Sequence, residues 1–138
     1  MIQRFCVGSR NLALLVLGVL IAANCQAEDV CKEVTQGVSV YRCSESKRKA
    51  ADVQLNVSYK KLMARFESQQ RVNPEQAKIF MAMARDSQRA WLKLRDTNCP
   101  LEATDIEPEA EASFTTINFC IARMSKERAA YLDGIVRD

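Results

Sequence analysis

The sequence predicts an all-α fold, a small disulfide-stapled antiparallel bundle of three main helices. Three observations predict it. Apolar residues recur at spacings of three and four along three long segments, an Asn-Pro turn and an acidic proline-bearing stretch divide those segments, and cysteines flank them. Each amphipathic stripe must be covered by another helix, and a bundle does this most economically.

Residues 1–27 stand apart from the fold. Arg4 and Arg10 form a positive start, Leu12 to Ala23 an unbroken apolar run, and Cys25-Gln26-Ala27 ends in the small residue a signal peptidase requires, so 1–27 reads as a secretory signal peptide. A membrane anchor needs roughly 17 to 25 apolar residues, and this run stops at Asn24 and Gln26. Asn24 also fits poorly where lipid attachment to Cys25 would want a small residue. Residues 28–138 are expected to form a single domain in the periplasm or outside the cell, with no stable membrane insertion after cleavage.

The first helix is expected from about Ser44 to Gln69, with Ala51, Leu55, Tyr59, Leu62, Met63 and Phe66 as its stripe and Ser44 as its cap. Residues 28–43 read as a tied-down coil or short helix. The turn Arg71-Val72-Asn73-Pro74 ends helix one and starts helix two, with Asn73 as cap and Pro74 at the first helical position. Helix two runs to about Thr97 through Ala77, Phe80, Met81, Ala84, Trp91 and Leu94, and Pro100 breaks it. Leu101 to Glu111 is acidic and irregular. A third pattern runs from about Glu109 to Arg123, then either continues through Ser125 or restarts with Ser125 as cap, and carries Tyr131, Leu132 and Ile135.

Export leaves four cysteines, Cys31, Cys43, Cys99 and Cys120, in a compartment where disulfides form. Of three connectivities, short-range closure favours Cys31 with Cys43 and Cys99 with Cys120. With no CxxC spacing and no histidine, no metal site or cofactor is expected. Removing Arg4 and Arg10 leaves 18 basic against 17 acidic side chains, a balance that does not suit bulk electrostatic binding of nucleic acid.

Polar groups nevertheless fall within the apolar stripes. Asp52 and Asn56 share a side with Leu55 and Tyr59, Gln88 and Arg95 lie on the stripe of Trp91, and Arg128 lies among Met124, Tyr131 and Ile135. Unpaired burial of a charge costs several kcal/mol, so these groups are expected to meet. The expected network sets Asp52, joined by Asp96, against Arg95 or Arg128, with Asn56, Gln88 and Tyr59 completing it. An open polar pocket for an anion is the alternative use of the same residues. Without a histidine or a spare thiol, and with only Asp52 of the carboxylates in a stripe, catalysis is not expected. The expected outward-facing feature is the linker with Glu102, Asp105, Glu107, Glu109 and Glu111, a candidate contact for a basic protein partner.

These features together resemble the LprI-like lysozyme-inhibitor family of small exported bacterial proteins. The resemblance rests on Cys31 and Cys43, Ala51-Asp52, Leu55-Asn56 and Tyr59, then Ala84, Gln88-Arg89-Ala90-Trp91, Arg95-Asp96 and Cys99, and finally Cys120, Met124-Ser125, Arg128 and Leu132. The chain departs from the family pattern in its glycine-free acidic linker and in Ser125, where threonine is common. The resemblance implies an exported protein-binding module that inhibits lysozyme-type muramidases, with a basic partner such as a lysozyme. The alternative is an envelope ligand-binding or structural module without inhibitory activity.

Overall fold

The computed structural model describes residue 31 and residues 37–135. The signal-peptide reading of residues 1–27 lies outside the described residues. Three α-helices, α1 (Gly37–Ser68), α2 (Pro74–Asn98) and α3 (Glu111–Ile135), make an all-helical bundle with no strand among the described residues. A 3-10 turn over Gln69–Arg71 joins α1 to α2, and a second over Cys99–Ala103 follows α2.

Helix α1 starts seven residues before the expected Ser44 cap. Ser44 is instead wholly buried inside the helix: its Oγ donates to the Tyr41 carbonyl at 2.6 Å and accepts from Asn118 Nδ2 of α3 at 3.2 Å. Packing against α3 therefore extends the helix through a stretch whose β-branched residues favour it only weakly. The start of α2 follows local chemistry. Asn73 Oδ1 accepts from the Gln76 backbone N–H at 3.1 Å, and Pro74 occupies a position where the missing N–H is harmless.

Contacts between the helices fix their directions. Ser44 meets Asn118, Asp52 meets Ser125 and Ser58 meets Asp133, so α1 and α3 run parallel. Phe66 packs on Phe80 and Asp52 meets Arg95, so α2 runs antiparallel to α1. The α1–α3 interface is the most extensive, and α2 makes fewer close approaches to either partner. Small side chains explain the difference. Ser44, Ala51 and Ser58 on α1 and Ala122, Ser125 and Ala129 on α3 are all buried, which lets these two backbones approach closely.

The core lies between these faces. Leu55, Leu62, Ala129 and Leu132 are buried together, and Tyr59, Phe66, Ala84 and Trp91 pack against them. Burying each leucine contributes roughly 1.5–3 kcal/mol. Of the two endings left open for helix three, the structure has the continuous one, uninterrupted through Ser125 to Ile135. Two disulfides among the described residues, Cys31–Cys43 and Cys99–Cys120, staple the end of the bundle where α1 and α3 start and α2 stops.

Candidate functional site

Arg95 enters the core from the last turns of α2 and is only 9% exposed. Its Nη1 donates to Asp52 Oδ1 at 2.8 Å and to Ser125 Oγ at 3.0 Å, while Nε donates to Asp96 Oδ1 at 2.8 Å. Ser125 Oγ in turn donates to Asp52 Oδ1 at 3.1 Å, closing a three-helix junction. Arg48 stands one turn before Asp52, 4.0 Å from its second oxygen, and its buried Nε has no hydrogen-bond partner. Asp52 is thereby the carboxylate on which charge from α1 and α2 converges.

A second cluster forms around Arg128. Its Nε donates to Gln88 Oε1 at 3.2 Å and its Nη2 to Ser87 Oγ at 2.8 Å, both acceptors on α2. The guanidinium carbon lies 5.1 Å from the Tyr131 ring centroid and 5.7 Å from that of Trp91. Arg95 lies 5.5 Å from the same Trp91 ring, so one indole serves both cations. Burial pushes the Arg128 guanidinium below its ordinary value, an effect opposed by neighbouring Tyr131.

The residues grouped as one network in the sequence are therefore distributed differently in space. Asp52, Arg95 and Asp96 meet at the junction, and Gln88 and Arg128 form the second cluster, with Trp91 between the two. Asn56 is exposed, because the face of α1 toward α3 is the one carrying Ala51, Leu55, Ser58 and Leu62, and Asn56 lies outside it. Tyr59 packs its ring on the leucine core and makes no side-chain hydrogen bond among the described residues. Sequence reasoning missed Ser125 and Ser87 as polar partners. The signal for Ser125 was its register with Ala122, Ala129 and Leu132, which marks the buried face of a continuous α3.

The acidic linker, expected to be irregular, is ordered by successive turns. Ile106 N–H donates to the Ala103 carbonyl at 3.0 Å, and Ala110 N–H to the Glu107 carbonyl at 2.9 Å. Ala103 is buried beneath it, and the Cys99–Cys120 bond clamps its two flanks. Glu102 is engaged by Arg123 of α3, whereas Asp105, Glu107, Glu109 and Glu111 are exposed. Their carboxylates form the acidic edge at the end of the bundle where α2 stops and α3 begins.

Among the described residues, no group of three or more histidine, cysteine, aspartate or glutamate side chains could hold a metal ion. No described helix is long and apolar enough to cross a membrane.

Comparison with known proteins places this arrangement. An uncharacterized protein from Rhizobium meliloti (strain 1021) is 26% identical over 131 residues, 91% of each chain. The crystal structure of a DUF1311 family protein from Pseudomonas putida KT2440 superposes with a TM-score of 0.61 at 26% identity, covering 70% of this chain and 89% of that one. Residues 31–132 match the family described as Lysozyme inhibitor LprI, a span that holds both disulfides, the Asp52 junction, the Arg128 cluster and the acidic linker. The chain belongs to the LprI family.

Proposed function

We propose that this protein is an exported inhibitor of lysozyme-type muramidases, acting through a protein contact centred on the acidic linker. Membership in the LprI family points to a non-catalytic, extracytoplasmic module with a protein-binding role. The signal-peptide reading of residues 1–27 fits delivery to the periplasm or the exterior.

One observation carries the choice of surface: four exposed carboxylates, Asp105, Glu107 and Glu109 on the linker and Glu111 at the start of α3, sit on a segment whose flanking helices are tied together by Cys99–Cys120. A loop ordered beforehand loses less entropy when it docks, and a cluster of one sign steers a basic partner toward it. A muramidase cleft carries its own carboxylates, which would repel the loop tip. The exposed Arg89 and Lys93 of α2 supply a basic lead for that approach.

The test is muramidase activity on cell walls with purified mature protein in excess. Inhibition relieved by reversing Glu107, Glu109 and Glu111 to lysine supports the reading. Undiminished activity across several lysozyme classes removes it.

A further inference from the structure

At the end of the bundle opposite the acidic linker, all three helices line an open cleft of about 180 Å³. Its walls are apolar: Leu62 and Phe66 from α1, Phe80 and Ala84 from α2, Tyr131 and Leu132 from α3. Among the described residues, Arg128 is the charged member of the lining and stands beside Ser87. An arginine at the edge of a hydrocarbon cleft suggests a purpose beyond packing.

A guanidinium carries five N–H donors. Arg128 directs two of them, from Nε and Nη2, to the neutral acceptors Gln88 Oε1 and Ser87 Oγ. Among the described residues, the Nη1 donors meet no acceptor and no carboxylate lies within ion-pair distance of this side chain. Burial already disfavours its charge. The Trp91 and Tyr131 rings and the two α2 acceptors fix the guanidinium plane, so its remaining edge is set in advance for a planar acceptor.

We propose that this cleft binds a small free monocarboxylate with a single aromatic or branched aliphatic body, its carboxylate paired with Arg128. Charge complementarity selects the head group, since a carboxylate accepts two parallel N–H bonds from one guanidinium edge. Volume selects the body: an apolar cavity of ~150 Å³ accommodates benzene, so this cleft takes one ring and a short linker. A helix or an extended peptide would not be enclosed by it. The site is at the far end of the molecule from Cys99–Cys120, so its failure would leave the inhibitor reading standing.

The experiment is calorimetric titration of the full mature chain with 3-phenylpropionate and with 3-phenylpropanol, which shares the body and lacks the charge. The carboxylate is expected to saturate a single site and to bind at least about tenfold more tightly than the alcohol. Arg128→Gln should erase that preference. Ala84→Leu, which fills the cleft from α2, should abolish binding of both compounds while circular dichroism shows the helices intact. No saturation at millimolar ligand, equal binding of the two compounds, or a preference that survives Arg128→Gln would each overturn the proposal. So would binding seen only after truncation beyond Ile135, which would give the cleft to residues 136–138. Binding of the acid only at the end of a peptide would overturn it in favour of a protein partner.

Discussion

Replacing the two ends of the central ion pair separately and together separates its contribution to stability from its contribution to helix register. In Arg95→Met the aliphatic stem stays in place, but Asp52 loses its 2.8 Å donor and keeps only Ser125 and the distant Arg48. A hydrogen bond to a charged group is worth about 1.5–3 kcal/mol. The Asp52 side chain is 33% exposed and can be partly rehydrated, which places the cost near the lower end, at about 2 kcal/mol. Asp52→Leu leaves Arg95 buried with only the more exposed Asp96 as counter-charge, again at about 2 kcal/mol. The double variant has no buried charge left to satisfy and should lose only about 1–2 kcal/mol, so the coupling is about 2–3 kcal/mol. Urea denaturation with both disulfides intact gives all four corners of the cycle, and each single change should lower the melting temperature by about 10 °C. A coupling below about 0.5 kcal/mol would show that Arg95 and Asp52 do not stabilise each other, refuting the junction as the element that sets helix register.

Four further outcomes follow from the same structure. Converting Cys99 and Cys120 to alanine removes closure of a 21-residue separation and should cost about 3 kcal/mol, read as a lower urea midpoint together with faster proteolysis within 101–111. Ala129→Leu places a larger side chain where α1 and α3 leave no exposed surface and should cost about 1–3 kcal/mol in the same assay, whereas Ala130→Leu on the exposed face should be near neutral. Reversing Glu107, Glu109 and Glu111 to lysine should abolish inhibition of a basic muramidase with little change in melting temperature. Inhibition by the parent protein should weaken as ionic strength rises through the range where the screening length falls below about 10 Å.

Much of the fold was legible because its signals are local. Asn73 and Pro74 define the start of α2 chemically, and apolar spacing located the three helices. The early start of α1 was not legible, since residues 37–43 are held helical by Ser44 and Cys43 packing under α3 and at Cys31, a tertiary effect that outweighs propensity. The seam was legible in composition but not in pairing. Periodicity shows that Asp52, Gln88, Arg95 and Arg128 face inward, yet which cation takes the Asp52 carboxylate depends on heights along the helices. Those heights are set by Ser44, Ala51, Ala122 and Ala129, small residues whose role emerges only once α1 and α3 are known to be parallel and close.

The placement of an arginine on the tryptophan face of α2 has its cause in how that helix is attached. Its buried residues are Ala77, Gln88 and Arg95, so no large aliphatic side chain of α2 is fully buried, and Ile79, Met83 and Leu94 are exposed. Close apolar docking of the kind that joins α1 to α3 is therefore not what holds it. Long side chains span the wider gap: Arg95 reaches Asp52, Arg128 reaches back to Gln88 and Ser87, and Trp91 fills the space between the two guanidinium groups. At one end the Cys99–Cys120 bond closes the gap covalently, and at the other the Phe66 and Phe80 rings meet at a tilt of 44° with centroids 5.5 Å apart and leave the cleft open beside Arg128. The same spacing that requires arginines in the seam thus leaves volume unfilled next to one of them. Shortening Arg95 should for that reason perturb the cleft even though the two are not in contact, and weaker binding of 3-phenylpropionate by Arg95→Met than by the parent protein would reveal it.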